Sequence, residues 1–256
     1  MRSCISSFVL ALLAGVLLAM PARAQSLILT PAVVPLAGQA GQSVTQTLKL
    51  QNDSNLSLEF LLEAKDVVVR EGARVFLAAG ALPDSIAATA VFTPRRVRVE
   101  PHASASVSAT FTLPPTLRHR AVAAYFRGTT RVRSGNRDTL LSLGTLFTFT
   151  LSDRISVTSA RLEAVPPSSS SNTQLRSTLV NNGSEPVVPA GMAVILDEQG
   201  RMVGKVPFNA RRLLPGETAT VAAEYPGELR AGTYRAVATF DVAGHPLTLT
   251  SPLNVP

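Results

Sequence analysis

Few residues in this sequence have the types and spacing that catalysis requires. A hydrolase nucleophile would lie in a Gly-x-Ser-x-Gly turn between a strand and a helix, and the nearest match, residues 41–45, lacks the second glycine and leads into a strand pattern. The three histidines, His102, His119 and His245, are far apart and have no partner at metal-ligand spacing. The sequence also contains no phosphate-binding glycine loop and no dinucleotide motif. It therefore predicts a protein that is not an enzyme and holds neither a metal nor a cofactor.

Arginines are the residues best suited to binding. Nine of them lie between Arg95 and Arg137, opposed within that segment by Glu100 alone. A guanidinium group binds carboxylate or phosphate through two parallel hydrogen bonds, so this segment could form an anion site. Alternation with apolar residues favours another interpretation, solvent-facing strand positions, at Arg96 and Arg98. The candidate contacts for a carboxylate or other anion are Arg127, Arg131 and Arg133.

The first 24 residues have the three parts of a secretory signal peptide. A short positive start, Met1-Arg2, precedes an apolar run of 16 residues, 5–20, and a small-x-small cleavage site, Ala22-Arg23-Ala24. The run is shorter than the roughly 20 residues that a membrane-spanning helix needs. We therefore expect residues 1–24 to be removed and the remainder to be exported without a membrane span. The periplasm is the expected location, with the cell surface or secretion as alternatives.

Composition narrows the partners of such an exported chain. Hydrophobic residues make up 46% of the sequence and charged residues 16%, which is enough apolar surface for a packed core. The only cysteine, Cys4, lies in the predicted signal peptide, so no disulfide framework is expected. Aromatic residues are sparse at 5% and tryptophan is absent, which argues against nucleic acid as the partner.

Hydrophobic periodicity after the signal peptide is mostly two, as in half-buried strands. Apolar and polar residues alternate at 44–50, 96–100 and 106–111, and the first of these runs ends in the turn formers Asn52-Asp53-Ser54-Asn55. The 18 prolines and 16 glycines fall largely between such runs. Short strands with turns at this spacing predict an all-β fold built of antiparallel sandwiches.

An internal repeat divides the chain in two. Residues 99–107 match residues 213–221 at an offset of 114 residues, and this offset suits one immunoglobulin-like domain of about 100 residues plus a linker. The Pro-Ser run 166–171 is the predicted linker. We therefore predict two tandem immunoglobulin-like domains, at 25–165 and 172–256.

One predicted strand is unusually long. Residues 141–151 alternate over eleven residues, or about 36 Å of extended chain, whereas an average strand has about five or six residues. Either its apolar side chains belong to the core along the whole strand, or part of the strand is left for a strand of a partner, which is β-augmentation. The apolar face carries Leu141, Leu143, Phe147 and Phe149.

Short motifs along the chain resemble those of the periplasmic pilus chaperones, the PapD-like family. They are Leu27–Pro31, Leu48–Ser54, Phe92–Pro101, Ala124–Arg127 and Leu140–Arg154. The resemblance implies two immunoglobulin-like domains and a long strand, here the one just described, whose apolar side chains complete an unfinished pilin subunit. It also implies two basic residues that hold the C-terminal carboxylate of that subunit. The first strand, 26–36, contains no basic residue, although the family has one there. The lysine that the family has near the long strand is also missing, and Arg133 or Arg137 could substitute for it by position only.

We therefore predict a non-catalytic exported protein, chaperone-like or active in assembly, that binds an extended segment of a client protein by β-strand addition. The expected client is a pilin-like subunit or another surface protein. The alternative is a structural or adhesive surface module of immunoglobulin-like domains that has no folding client. The predicted docking residues are Leu141, Leu143, Phe147 and Phe149.

Overall fold

The computed structural model describes residues 27–132 and 137–256, and these ranges form seventeen strands and one turn of 3-10 helix. The first part contains β1 (Leu27–Thr30), β2 (Val33–Ala37), β3 (Ser43–Asn52), β4 (Leu58–Arg70), β5 (Ala73–Ala78), the 3-10 turn (Ala87–Thr89), β6 (Val91–Thr93), β7 (Arg96–Val99), β8 (Ala103–Thr112), β9 (Ala121–Val132) and β10 (Arg137–Thr150). The second part contains β11 (Val157–Val165), β12 (Thr173–Asn181), β13 (Ala190–Leu196), β14 (Met202–Pro207), β15 (Thr218–Tyr225), β16 (Gly232–Val242) and β17 (His245–Val255). The predicted all-β class is confirmed, and the predicted signal peptide lies outside the described residues.

The first sandwich packs two sheets face to face. One sheet has the strand order β1-β3-β8-β6, and the other β2-β10-β9-β4-β5, with β7 also paired to β4. Alternation along the strands turns every second side chain into the space between the sheets, where Leu48, Phe60 and Phe111 are fully buried. This apolar core must hold the sandwich together, because a chain with a single cysteine forms no internal disulfide.

The start of the first domain is shared between its two sheets. β1 pairs antiparallel with β3, and beyond Pro31 the chain crosses to the other sheet, where β2 runs parallel to the end of β10. β2 is short, so Val33–Ala37 lies beside Leu146–Thr150 only. The crossing at Pro31 therefore decides how much of β10 gains a second neighbour.

The second sandwich contains β11 to β17, in sheets ordered β11-β12-β15 and β14-β13-β16-β17. The predicted linker at 166–171 is wrong, because β11 already pairs with β12 inside this sandwich. The Ser run is a turn between these two strands, in which the Ser168 N–H donates to the Ser171 carbonyl over 2.8 Å. Proline and serine favour turns as well as linkers, so composition did not separate the two. The chain passes between the sandwiches at 151–156, and the predicted first domain, 25–165, is too long by β11.

The sequence repeat marks equivalent positions in the two sandwiches. Asn52 and Asn181, at the ends of β3 and β12, are both 0% exposed. Asn52 Nδ2 donates to the Val99 carbonyl over 3.1 Å, and Asn181 Nδ2 donates to the Leu213 carbonyl over 3.1 Å. Val99 and Leu213 begin the two copies of the repeat. A buried side-chain amide must find hydrogen-bond partners, and in each sandwich it finds one at the first residue of the repeat. The two immunoglobulin-like sandwiches therefore contain equivalent buried asparagines.

Two buried glutamates of the second sandwich form ion pairs with arginines of the first. Glu185 is 0% exposed, and one of its oxygens lies 3.2 Å from Arg120 Nε and accepts the Leu151 N–H over 3.0 Å. Glu217 is 1% exposed and lies 2.9 Å from Arg74 Nε. Pairing is what makes buried charges tolerable. Next to them is a small apolar cluster made of Val67, Ala121, Ala123, Leu146 and Leu214.

Candidate functional site

β10 has one neighbour along nearly its whole length and a second along only part of it. It pairs antiparallel with β9 over 137–148 and parallel with β2 over 146–150. Among the described residues, no strand pairs with the second side of β10 before Leu146. We call Leu146–Thr150 the closed half of β10 and Leu140–Thr145 the open half.

The closed half belongs to the core. Phe147 and Phe149 are 0% exposed, and the Phe147 ring packs edge-on against Phe111 with 4.8 Å between the ring centroids. Because β9 and β2 flank this half on both sides, these two side chains cannot reach a client without opening the sandwich. Their prediction as docking residues is therefore wrong, and the core interpretation applies to this half of the strand.

The open half has the features that β-augmentation requires. Leu141 and Leu143 are only partly buried and pack against the core of the first domain. Across the sandwich, Leu27 and Leu29 of β1 are likewise partly buried against that core. These leucines leave apolar surface beside an unpaired strand edge, which is the kind of edge that accepts a further strand.

The unpaired main-chain groups of the open half belong to its even-numbered residues. In a β ladder, successive residues direct their N–H and C=O groups to opposite sides of the strand. The Phe149 N–H donates to the Arg120 carbonyl, just before β9, over 2.8 Å, whereas the Leu146 N–H donates to the Ala32 carbonyl beside β2, over 3.0 Å. The groups directed at the open edge are therefore those of Leu140, Ser142 and Gly144.

An aromatic group lies on the outer face of the sheet beside this edge. Tyr125 of β9 is the cross-strand partner of Gly144. Its ring packs edge-on against Phe76, with 5.6 Å between centroids, and Lys65 Nζ lies 5.1 Å from the ring centre. Partial burial raises the pKa of the Tyr125 hydroxyl. The open edge thus has an apolar inner side and an aromatic outer side.

The structure brings one of the three candidate arginines to this region. Arg127 of β9 is cross-strand from Ser142, with its side chain half exposed and its Nη1 atom 3.7 Å from Glu63 Oε1. The backbone of Arg131 lies in β9, but its side chain is outside the described part of the chain, as is the whole of Arg133. A carboxylate or anion role for these three residues stays a prediction.

Other arginines of the same segment make ordinary ion pairs. Arg96 lies 3.0 Å from Glu59, and Arg98 lies 2.8 Å from Glu100, all four side chains being mostly exposed. The solvent-facing interpretation is thus confirmed for Arg96 and Arg98.

Arg120 was not singled out from the sequence, and it forms an ion pair with the buried Glu185 of the second domain. No local spacing relates those two residues, so the pattern could not reveal the contact.

Sequence reasoning also missed a polar pair just before β9. His119 Nδ1 lies 2.7 Å from Asp84 Oδ1, and the Arg118 N–H donates to Asp84 Oδ2 over 2.6 Å. Burial by itself raises the pKa of Asp84, but the Arg118 N–H and His119 outweigh burial and bring that pKa below its usual value. His119 and Asp84 are 35 residues apart, so spacing along the chain gave no signal.

A metal centre and a membrane-spanning helix are both absent from the described residues. Over 27–132 and 137–256, no group of three or more His, Cys, Asp or Glu side chains could hold a metal ion. No helix in the same ranges has the length and apolarity to cross a membrane.

No protein-family model and no curated protein matches the sequence. A chain from the complex of the Salmonella enterica SafA pilin with the SafB chaperone is 12% identical, with a TM-score of 0.44, over 90% of this chain and 98% of that one. The Pseudomonas aeruginosa CupB2 chaperone is 13% identical, with a TM-score of 0.41, over 90% and 100%. A chain from the chaperone–tip adhesin complex of CFA/I fimbriae biogenesis is 13% identical, with a TM-score of 0.45, over 88% and 98%. Each of these three solved structures contains a chaperone.

Proposed function

We propose that this protein is a non-catalytic, exported, chaperone-like protein that adds an extended segment of a client protein to the open half of β10. The observation that carries the proposal is the pairing of β10, which has β9 on one side but gains β2 on the other only from Leu146. An unpaired edge is a template for another strand. The client in this proposal is a pilin-like subunit and the location is the periplasm.

Main-chain hydrogen bonds supply the part of the affinity that does not depend on the client's side chains. Leu140, Ser142 and Gly144 each direct one N–H and one C=O at the open edge. A hydrogen bond of this kind contributes about 0.5–1.5 kcal/mol net. The main chain of β10 therefore contributes the same hydrogen bonds to any extended client strand, whatever its sequence.

Apolar side chains supply selectivity. Leu141 and Leu143 retain exposed surface on the inner side of the open half, and apolar client residues two apart would cover it, since every second side chain of a strand lies on one face. Each buried methylene contributes about 0.8 kcal/mol. The client in turn gains a cover for an apolar strand that would otherwise be free to aggregate.

The closed half gives the open half a fixed position. β2 and β9 flank it, and just beyond it the Leu151 N–H and the Ser152 hydroxyl donate to the buried Glu185 of the second domain, the hydroxyl over 2.6 Å. A binding edge that continues such a rigid strand needs little ordering when the client arrives, and this preserves affinity.

The test is the double variant Leu141→Thr/Leu143→Thr, which removes apolar surface from the open half but keeps residues that favour strands. We expect it to retain at least about tenfold less client than the unmodified protein, measured by mass spectrometry of proteins that co-purify from the periplasm. The matched control is Leu247→Thr/Leu249→Thr, since these leucines are partly buried against the core of the second domain. Equal recovery by both double variants would reject strand addition at β10. An unmodified protein without any client would favour the structural or adhesive alternative.

A further inference from the structure

The fold of this protein does not require a glycine at position 144. It is exposed, and its backbone is outside the left-handed region that favours glycine. A Cβ atom there would lie 3.7 Å from the nearest atoms, the Ala124 carbonyl oxygen and the Tyr125 ring, which is ordinary contact distance. Glycine within a strand nevertheless destabilises the strand relative to alanine. Such a glycine often marks a place where another chain approaches closely.

Tyr125 borders the space that the missing side chain leaves. Its Cε1 and Cζ atoms are the ring atoms 3.7 Å from the Cβ position of Gly144. Elsewhere on the ring, Phe76 packs at an interplanar angle of 87°. The aromatic group therefore extends across the outer face from Phe76 to Tyr125 and ends at Gly144, on the open edge.

We propose that the space above Gly144 receives an aromatic side chain of the client strand, carried by the residue directly opposite Gly144. This inference rests on the proposed function and adds to it a requirement on the client's sequence. Directly opposite residues of paired strands have their side chains on the same face. The client's aromatic residue would therefore lie on the outer face, in line with Tyr125.

The spacing of the strands explains why a ring fits this space. The client strand and β9 would flank β10, about 9.6 Å apart. A side chain on the intervening residue would separate their side chains, but glycine allows a ring to lean across and meet Tyr125 at the centroid distance of about 4.5–7 Å that aromatic pairs adopt. Covering a glycine at a sheet edge with a cross-strand aromatic residue also stabilises the pairing. An alanine at the same client position would leave the edge of the Tyr125 ring in water.

The test uses synthetic peptides of the pattern Thr-Val-Thr-Val-X-Val-Thr-Val-Thr, which has the same order in both strand directions. The guest X is Phe or Ala, and binding to the full chain is measured by calorimetry. We expect the unmodified protein to bind the Phe peptide about tenfold more tightly than the Ala peptide. The variant Gly144→Thr, which fills the space but keeps the main-chain groups, should bind both within about twofold.

Two further variants separate the possible outcomes. Ser142→Thr enlarges a neighbouring residue on the same face and should keep the preference for Phe, whereas Tyr125→Leu removes the ring without touching the edge and should lose it. Equal binding of both peptides by the unmodified protein would overturn this inference and leave strand addition intact. A preference for Phe that survives both Gly144→Thr and Tyr125→Leu would also overturn it. Failure of both peptides to bind would overturn the inference together with the proposed function.

Discussion

The open and closed halves of β10 share one alternating pattern but have different surroundings. Phe147 and Phe149 of the closed half are fully buried, whereas Leu141 and Leu143 of the open half are partly exposed. The difference comes from β2, which pairs with the strand only from Leu146 onward. Alternation thus reports that one face of a strand is apolar, but it does not report how many neighbours the strand has. The number of neighbours decides whether that face is core or binding surface.

The largest expected difference between the halves is in stability. Phe147→Ala removes a fully buried ring from the core and should lower the free energy of unfolding by about 3–5 kcal/mol. Leu141→Ala, in the open half, should lower it by only about 1 kcal/mol because its side chain is partly exposed already. Urea unfolding followed by circular dichroism measures both. Similar losses for the two variants would mean that the open half is as enclosed as the closed half.

Proline substitutions compare the two halves at the main chain. Thr148 and Ser142 both direct their N–H groups away from β9, but β2 lies beside Thr148 and no described strand lies beside Ser142. Thr148→Pro should therefore destabilise the protein by about 3 kcal/mol, whereas Ser142→Pro should change its stability by less than about 1 kcal/mol. Thermal melting checks this pair.

The same Ser142→Pro variant sharpens the comparison in a binding assay. It removes one of the N–H groups offered to the client, so client recovery should fall although the protein stays folded. Ser142→Ala, which keeps the N–H, is the control and should recover the client normally. A folded Ser142→Pro protein with full client recovery would place the client elsewhere on the molecule.

A smaller effect concerns the stability of the fold at low pH, near the end of the closed half. Asp84 holds Arg118 and His119, and the next carbonyl along the chain, that of Arg120, accepts the Phe149 N–H. Because the folded-state pKa of Asp84 lies below its usual 3.8, the ionised carboxyl stabilises the fold above that pH, and this stabilisation is lost as the pH falls through the folded-state pKa. The Asp84→Asn variant should therefore lose less stability than the unmodified protein as the pH falls from about 5 through the folded-state pKa of Asp84. Identical losses would exclude Asp84 from the acid dependence.

Local pattern was enough to predict the all-β class, because alternation and turn residues act over a few neighbouring positions. The internal repeat predicted the two immunoglobulin-like sandwiches. Local pattern also located β10 and the apolar residues along it. It misplaced the linker, since a Pro-Ser run suits a turn as well as a connection between domains. It could not separate Phe147 from Leu141, and it missed the pairing of Arg120 with Glu185, because these depend on where distant segments of the chain meet.

Hydrogen exchange of individual main-chain amides tests the central claim most directly. In the protein without client, the amides of Leu140, Ser142 and Gly144 should exchange rapidly, while those of Leu146 and Thr148, on the same side of the same strand, should be protected. Addition of the client should slow the first three and leave the last two unchanged. Protection of Leu140, Ser142 and Gly144 in the free protein, or rapid exchange that the client does not alter, would contradict the account.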